Sequence, residues 1–97
     1  MIILNEFKVD ILKSLKETKS INRITAKTIY ELFEIMNCEK LTTLRKNVNE
    51  LTEVGYVNFG LPDARSKSYY ITRNGMQYLE LISKKSYEGN EVKNNVV

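Results

Sequence analysis

Two short polar stretches, residues 42–49 and residues 65–69, carry the side chains of this chain that are best suited to chemistry. Both stretches are rich in hydroxyl and basic groups. Hydroxyls and lysines bind phosphate oxygens, arginine suits the edge of a guanine, and asparagine suits an adenine. The pattern therefore predicts contacts to a nucleic acid. The candidate residues are Thr42, Thr43, Arg45, Lys46 and Asn49 in the first stretch and Arg65, Ser66, Lys67 and Tyr69 in the second.

Each stretch also has a simpler interpretation. Any soluble helix exposes polar side chains, and Arg65 and Lys67 at the tip of a hairpin would discourage edge-to-edge aggregation without binding a ligand. Tyr69 either stacks on a base or takes part in cross-strand aromatic packing. The sequence leaves open which of the two stretches dominates recognition.

The residues needed for common catalytic and metal sites are scarce. The chain has no histidine and only one cysteine, Cys38. This composition excludes an internal disulfide and removes the usual zinc and nucleophile–base arrangements. We therefore expect no enzymatic activity, no metal and no cofactor. A lone cysteine between two helices is more often partly buried packing than a redox switch, and we predict the packing role for Cys38.

Length and charge predict one small domain that tolerates an anionic partner. The chain has 97 residues and a net charge of +3, an excess that permits binding to an anion without requiring it. Residues 1–87 are expected to form the domain, and the asparagine-rich residues 88–97 a flexible C-terminal tail. The chain lacks a basic leader and an apolar run of about 20 residues, so we expect a cytoplasmic protein without a membrane partner.

Apolar residues spaced by three and four predict three helices in the first half of the chain. We expect Asn5 to cap the first helix, Thr25 to cap the second, Asn37 to end the second and Gly55 to follow the third. The remaining positions of the third helix, Asn47 among them, are expected to face outward. The predicted core positions are Leu4, Phe7, Ile11, Leu12 and Leu15, then Ile29, Leu32, Phe33 and Met36, then Leu41, Leu44, Val48 and Leu51, with Val54 as a further candidate.

A β-hairpin is predicted after the third helix, where the pattern changes from helical to strand-like spacing. Residues 56–59 and 68–72 are rich in β-forming side chains, and the polar, turn-rich residues 60–67 separate them. Alternation along the second strand places Tyr69 and Tyr70 on opposite faces. We expect Tyr70 in the core and Tyr69 toward solvent.

Two further elements flank these helices and the hairpin. Residues 21–24 are candidates for a short strand before the second helix. Residues 74–87 return to helical spacing, with Thr72 or Asn74 as the cap of this last helix. Gly75 is expected to allow close packing at its start.

Two motifs on either side of the hairpin resemble those of winged helix-turn-helix regulators. In the first, Leu51 precedes Gly55 and the hydrophobic pair Tyr56-Val57. The second, Tyr70-Ile71-Thr72-Arg73-Asn74-Gly75, resembles the strand-to-helix junction of the PadR and MarR families. The resemblance implies a mainly α fold with a small β-hairpin wing. It also implies that the third helix enters the DNA major groove while the wing lies along phosphates or in the minor groove.

The residues and the resemblance together predict a small, non-enzymatic, sequence-specific protein that binds double-stranded DNA. We expect a homodimer formed through the first and last helices, without a small-molecule substrate, since the chain leaves no room for a separate sensing domain. Its role is that of a transcriptional regulator or of an accessory factor on plasmid or phage DNA, in origin marking, replication or conjugative transfer. The alternative is a winged-helix module for protein–protein interaction that does not bind DNA.

Overall fold

The computed structural model describes residues 4–61 and 66–83, which form four helices and a three-stranded antiparallel sheet. The elements are α1 (Glu6–Glu17), β1 (Lys27–Thr28), α2 (Ile29–Met36), α3 (Leu41–Glu53), β2 (Val57–Phe59), β3 (Ser68–Ile71) and α4 (73–83). The predicted architecture, mainly α with a β-hairpin wing, is confirmed. Arg65, the domain boundary at residue 87 and the tail over 88–97 lie outside the described residues. No helix in the described ranges is both long and apolar enough to cross a membrane.

Short polar side chains fix the starts of the first two helices. Asn5 accepts a hydrogen bond from the Lys8 amide at 2.8 Å through its side-chain oxygen, as predicted. The cap of α2 was predicted wrongly, because Thr28 caps this helix and Thr25 does not. Thr28 Oγ1 accepts from the Glu31 amide at 3.1 Å, and the Glu31 carboxylate accepts from the Thr28 amide at 2.9 Å. This reciprocal pair is a capping box, which satisfies two backbone donors that the helix leaves free.

Thr25 belongs instead to the turn before β1. Its hydroxyl accepts a hydrogen bond from the Asn22 amide at 3.3 Å, while the Asn22 side-chain oxygen accepts from the Ile24 amide at 2.9 Å. Local bonds of this kind compete with a strand ladder for the same backbone groups. The strand predicted at residues 21–24 is therefore absent there, and the strand of this region is Lys27–Thr28.

Two residues in the left-handed region mark the ends of α2 and α3. Asn37 has φ 53° at the end of α2, and Gly55 has φ +85° just after α3. Both positions match the prediction, since asparagine and glycine tolerate this conformation best. A Cβ at Gly55 would meet no atom within 4 Å, so the backbone conformation alone favours glycine there.

The sheet has β3 at its centre, in the order β1-β3-β2. The hairpin of β2 and β3 pairs Val57 with Ile71 and Phe59 with Tyr69, and β1 adds Lys27 on the other side of Tyr69. The central strand β3 is thus paired on one side with the strand before α2 and on the other with the strand after α3.

The faces of β3 are the reverse of those predicted. Tyr69 is 5% exposed and Ile71 is 1% exposed, whereas Tyr70 is only half-buried. Side chains two residues apart share a face of the strand, so Tyr69 lies on the same buried face as Ile71. The placement of Tyr69 toward solvent and of Tyr70 in the core was therefore wrong.

The core lies where α1, α2 and α3 meet the inner face of the sheet. Each of the three helices contributes the apolar stripe that its spacing predicted, although Leu4, Phe7, Phe33, Met36 and Leu41 are only partly buried. The candidate Val54 was wrong: it follows the last residue of α3 as its C-cap and is 37% exposed. The remaining core side chains come from the hairpin and α4. Buried apolar residues are Ile11, Leu12, Leu15, Ile29, Leu32, Leu44, Val48, Leu51, Val57, Tyr69, Ile71, Tyr78 and Leu79.

The junction between the wing and α4 is tightly packed. Thr72 Oγ1 donates a hydrogen bond to the Gly55 carbonyl at 2.6 Å and accepts one from the Gly75 amide at 3.2 Å. A Cβ on Gly75 would overlap the Tyr56 carbonyl oxygen. The predicted roles of Thr72 as cap and of Gly75 as a close-packing residue are confirmed.

Candidate nucleic-acid interface

The exposed face of α3 carries all five side chains predicted for it. Leu44, Val48 and Leu51 have no exposure and fix the opposite face of the helix in the core. The side chains left at the surface are Thr42, Thr43, Arg45, Lys46 and Asn49. Since these groups are hydroxyls, an amide and two cations, the surface suits an anionic, hydrogen-bonding partner.

Asn47 does not belong to this surface, and its predicted outward orientation was wrong. It is 9% exposed, and its side-chain amide donates to the Thr43 carbonyl at 2.8 Å. Position 47 lies three residues after Leu44 and four before Leu51, so helical spacing places it on the buried stripe. Its side-chain amide thus donates its hydrogen bond within its own helix.

A salt bridge ties α3 to α1 on the flank of this surface. Lys8 Nζ lies 2.7 Å from a carboxylate oxygen of Glu50. The hydrogen bond from Lys8 is the main cause that holds the pKa of Glu50 below its usual value. Glu50 is therefore ionised and neutralised by Lys8, which reduces its repulsion of an anion bound to α3.

Tyr30 is a member of the surface that the sequence analysis did not identify. Arg45 Nη2 donates a hydrogen bond to the Tyr30 hydroxyl at 2.9 Å, and the Arg45 guanidinium carbon lies 5.7 Å from the centroid of the Tyr30 ring. Tyr30 is in the first turn of α2 and is 52% exposed. The sequence signal for Tyr30 is weak: it lies between Thr28 and Glu31 of the capping box, off the buried stripe formed by Ile29 and Leu32.

The wing places a second cation near the first. Lys67 Nζ lies 5.4 Å from the centroid of the Phe59 ring, and this ring lies 5.5 Å from the ring of Tyr69. Burial raises the pKa of the Tyr69 phenol, while the positive charge of Arg45 acts in the opposite direction. Tyr69 therefore stays neutral at physiological pH and lies within the electrostatic reach of Arg45.

These side chains converge on a cleft between α2, α3 and the wing, with a volume of about 380 Å³. Of the predicted residues the cleft brings together Arg45, Asn49, Ser66, Lys67 and Tyr69, and Tyr30 joins them. Thr42 and Lys46 are not among the lining residues, and Thr43 lines a different cavity beside Cys38. No acidic residue lines the described part of the cleft. Its chemistry is that of an anion site.

Two other features lie away from this cleft. A groove of about 730 Å³ runs between α1 and α4 and is lined by Lys13, Lys16, Leu79 and Ile82 among others. Cys38 is half-buried and packs against the core, and burial raises the pKa of its thiol. A raised pKa disfavours the reactive thiolate, in agreement with the predicted packing role.

Comparison with known proteins identifies relatives by sequence and by fold. No protein-family profile matches the chain. The DNA-binding protein TubR of the Clostridium botulinum C phage is 32% identical over 78 residues, which cover 80% of this chain and 93% of that protein. The solution structure of the DNA-binding TubR fragment from Clostridium botulinum superposes with a TM-score of 0.68 at 30% identity, over 84% of this chain and 99% of the fragment.

A more distant neighbour supports the fold assignment. MepR of S. aureus, in a crystal structure of its complex with DNA, has a TM-score of 0.70 at 13% identity, over 96% of this chain and 75% of MepR. At this identity the likeness shows the fold alone, and it confirms the predicted winged helix-turn-helix. From its identity to the phage TubR and its coverage of that protein, the chain belongs to the TubR family.

Proposed function

We propose that this protein is a small, non-enzymatic protein that binds double-stranded DNA with sequence preference. The single observation that carries the proposal is the convergence of α3 and the wing on one surface that offers cations and hydrogen-bond donors. The relative of known name is a DNA-binding protein, which supports the same partner. The absence of histidine from the sequence supports the non-enzymatic part of the proposal.

In the proposed complex α3 enters the major groove. Thr42, Thr43, Lys46 and Asn49 are exposed on this helix, and their hydroxyl, ammonium and amide groups suit phosphates and base edges. The wing follows the adjacent backbone through Ser66 and Lys67. Arg65, which lies outside the described residues, stays a prediction from the sequence.

The salt dependence of binding tests this proposal. Fluorescence anisotropy with a labelled duplex, selected from a random pool, gives the affinity at a series of salt concentrations. The logarithm of the affinity should fall with a slope of about −0.9 per phosphate neutralised. Lys46→Gln should weaken binding and flatten this slope, whereas Lys19→Gln, which removes the same charge from an exposed turn after α1, should leave both nearly unchanged. No binding to any duplex at low salt would overturn the proposal and favour a protein-interaction module.

We propose further that two copies associate through α1 and α4. The groove between these helices is apolar at Leu79 and Ile82, and Leu81 on α4 is 55% exposed. Leu81→Glu should convert a dimer to a monomer in analytical ultracentrifugation. Ile24→Glu, at a site that is 82% exposed, introduces the same charge elsewhere and should leave the dimer intact. A wild-type protein that sediments as a monomer at high concentration would contradict the proposal.

The cellular role that we propose is a regulator of transcription or an accessory factor on plasmid or phage DNA. The phage origin of the TubR relative supports the second of these roles. Sequencing of the DNA bound in cells separates them. Sites clustered in one short region of a mobile element support the accessory role, and sites scattered over promoters support transcriptional regulation.

A further inference from the structure

We propose that the cleft between α2, α3 and the wing seats one backbone phosphate of the bound DNA, with Arg45 and Lys67 as its two cations and Tyr30 as the residue that positions Arg45. This inference rests on the proposed function and specifies it. It assigns Arg45 to the DNA backbone, whereas an arginine on this helix would otherwise be expected to read a guanine.

The first step concerns the direction of the Arg45 side chain. An arginine that reads a guanine extends from its helix toward the floor of the groove and offers both nitrogens of its fork to one base. Arg45 is instead turned toward α2, where the Tyr30 hydroxyl accepts from Nη2 at 2.9 Å and the ring lies 5.7 Å from the guanidinium carbon. Arg45 and Tyr30 both line the cleft, so this contact holds Arg45 at the cleft wall.

The second step concerns the opposite wall. Lys67 lies just before β3 and, like Tyr69, lines the cleft on the side of the wing. The Phe59 ring, 5.4 Å from Lys67 Nζ, supports the lysine on this side. One cation therefore comes from each wall of the cleft.

The third step concerns the remaining lining. Asn49 and Ser66 add an amide and a hydroxyl, and no carboxylate lines the described part of the cleft. Cations together with short polar donors are the usual partners of a phosphodiester. With α3 in the major groove and the wing on the adjacent backbone, as proposed above, that backbone runs between the helix and the wing. The cleft separates these two elements, so we assign the phosphate to it.

Substitution of the cations separates a phosphate contact from base reading. Arg45→Ala and Lys67→Gln should each weaken a selected duplex and a scrambled duplex by the same factor, about tenfold, and should flatten the salt slope by about 0.9. Lys19→Gln is the matched control for loss of a charge. If Arg45→Ala abolishes the difference between the two duplexes and leaves the salt slope unchanged, Arg45 reads a base and the inference is wrong, although the protein still binds DNA.

A single neutral methylphosphonate, moved along the duplex, identifies the phosphate itself. One position should weaken the wild-type protein about tenfold and have no further effect on Arg45→Ala, since both changes remove the same ion pair. If every position weakens the wild type and Arg45→Ala equally, no phosphate is seated beside Arg45.

Tyr30→Phe tests the positioning role, because it keeps the ring and removes only the hydroxyl. We expect binding to weaken about threefold in the wild-type background and to stay unchanged in an Arg45→Ala background. Both side chains are exposed, and circular dichroism should show an unchanged melting temperature for each variant. An equal loss in both backgrounds would show that Tyr30 acts without Arg45. Failure of the wild type to bind any duplex would instead overturn the proposed function.

Discussion

The recognition helix α3 and the wing hold their cations in different ways. The helix is anchored along its length by Leu44, Val48 and Leu51, none of which is exposed. The wing is anchored at its base by Val57 and Ile71, which are buried. Further along the same strand face, Phe59 is 44% exposed. Core packing therefore fixes the positions of the cations on α3, whereas Lys67 is held by a local contact with an aromatic ring. Destabilising the core should disturb the α3 cations, and a single surface substitution should be enough to disturb Lys67.

The largest effect should come from removing an anchor of α3. Leu44→Ala leaves a cavity in the core and should lower the free energy of unfolding by about 2–5 kcal/mol. Chemical denaturation measures this change. Ile24→Ala removes an apolar side chain that is 82% exposed and should change the stability by less than about 0.5 kcal/mol. Similar losses for the two variants would contradict the assignment of Leu44 to the core.

The junction between the wing and α4 should be the next most sensitive site. Gly75→Ala forces a methyl group against the Tyr56 carbonyl and should cost roughly 1–3 kcal/mol. Gly55→Ala meets no neighbour and should cost only the strain of a positive φ, about 1 kcal/mol. The melting temperatures of the two variants compare the cost of the steric overlap at Gly75 with the cost of the backbone strain at Gly55. If Gly55→Ala were the more damaging change, the junction would be looser than described.

A smaller effect is expected where the wing carries its lysine. Phe59→Ala removes the ring beneath Lys67 and should weaken DNA binding about threefold, because a cation–π contact at an exposed site contributes about 0.5–1 kcal/mol. Leu61→Ala, at a wing residue of similar exposure, is the control and should leave the affinity unchanged. Anisotropy titrations measure both. Equal effects would mean that the loss comes from the wing surface in general.

The smallest effect should be the pH response of the Lys8–Glu50 salt bridge. Because the pKa of Glu50 is lowered in the folded state, its contribution to stability is present above the unfolded pKa and is lost as the pH falls through the folded pKa. The melting temperature of the wild type should exceed that of Glu50→Gln slightly at neutral pH, and the two should converge as the pH falls below the folded pKa of Glu50. Added salt should reduce the difference. A difference that persists in acid would have another origin.

The sequence was sufficient for the helix stripes and the hairpin, because these depend on local periodicity, and for the two junction motifs, because these resemble a known family. Most errors came from reading one residue without its neighbours. Thr25 looked like a cap, yet only Thr28 has a glutamate three residues later to complete the capping box. Tyr70 was placed in the core from its motif, although counting back from Ile71 selects Tyr69.

The candidate site was less accessible from the sequence than the fold. The exposure of the five predicted α3 side chains follows from helical spacing, whereas the burial of Asn47 was missed because its polarity outweighed its position. The contact between Tyr30 and Arg45 joins residues fifteen positions apart on two helices. No local pattern encodes such a distance, which is set by how α2 and α3 pack.

Thr28 has a consequence for how this fold tolerates change over evolution. It is the last residue of β1, the partner of Ser68 on the wing strand and the cap of α2. One residue thus joins a strand to a helix with no linker between them. Insertions and deletions should accumulate in the exposed turn over residues 21–24 and be purged from 27–30, since a shift there would move Tyr30 away from Arg45.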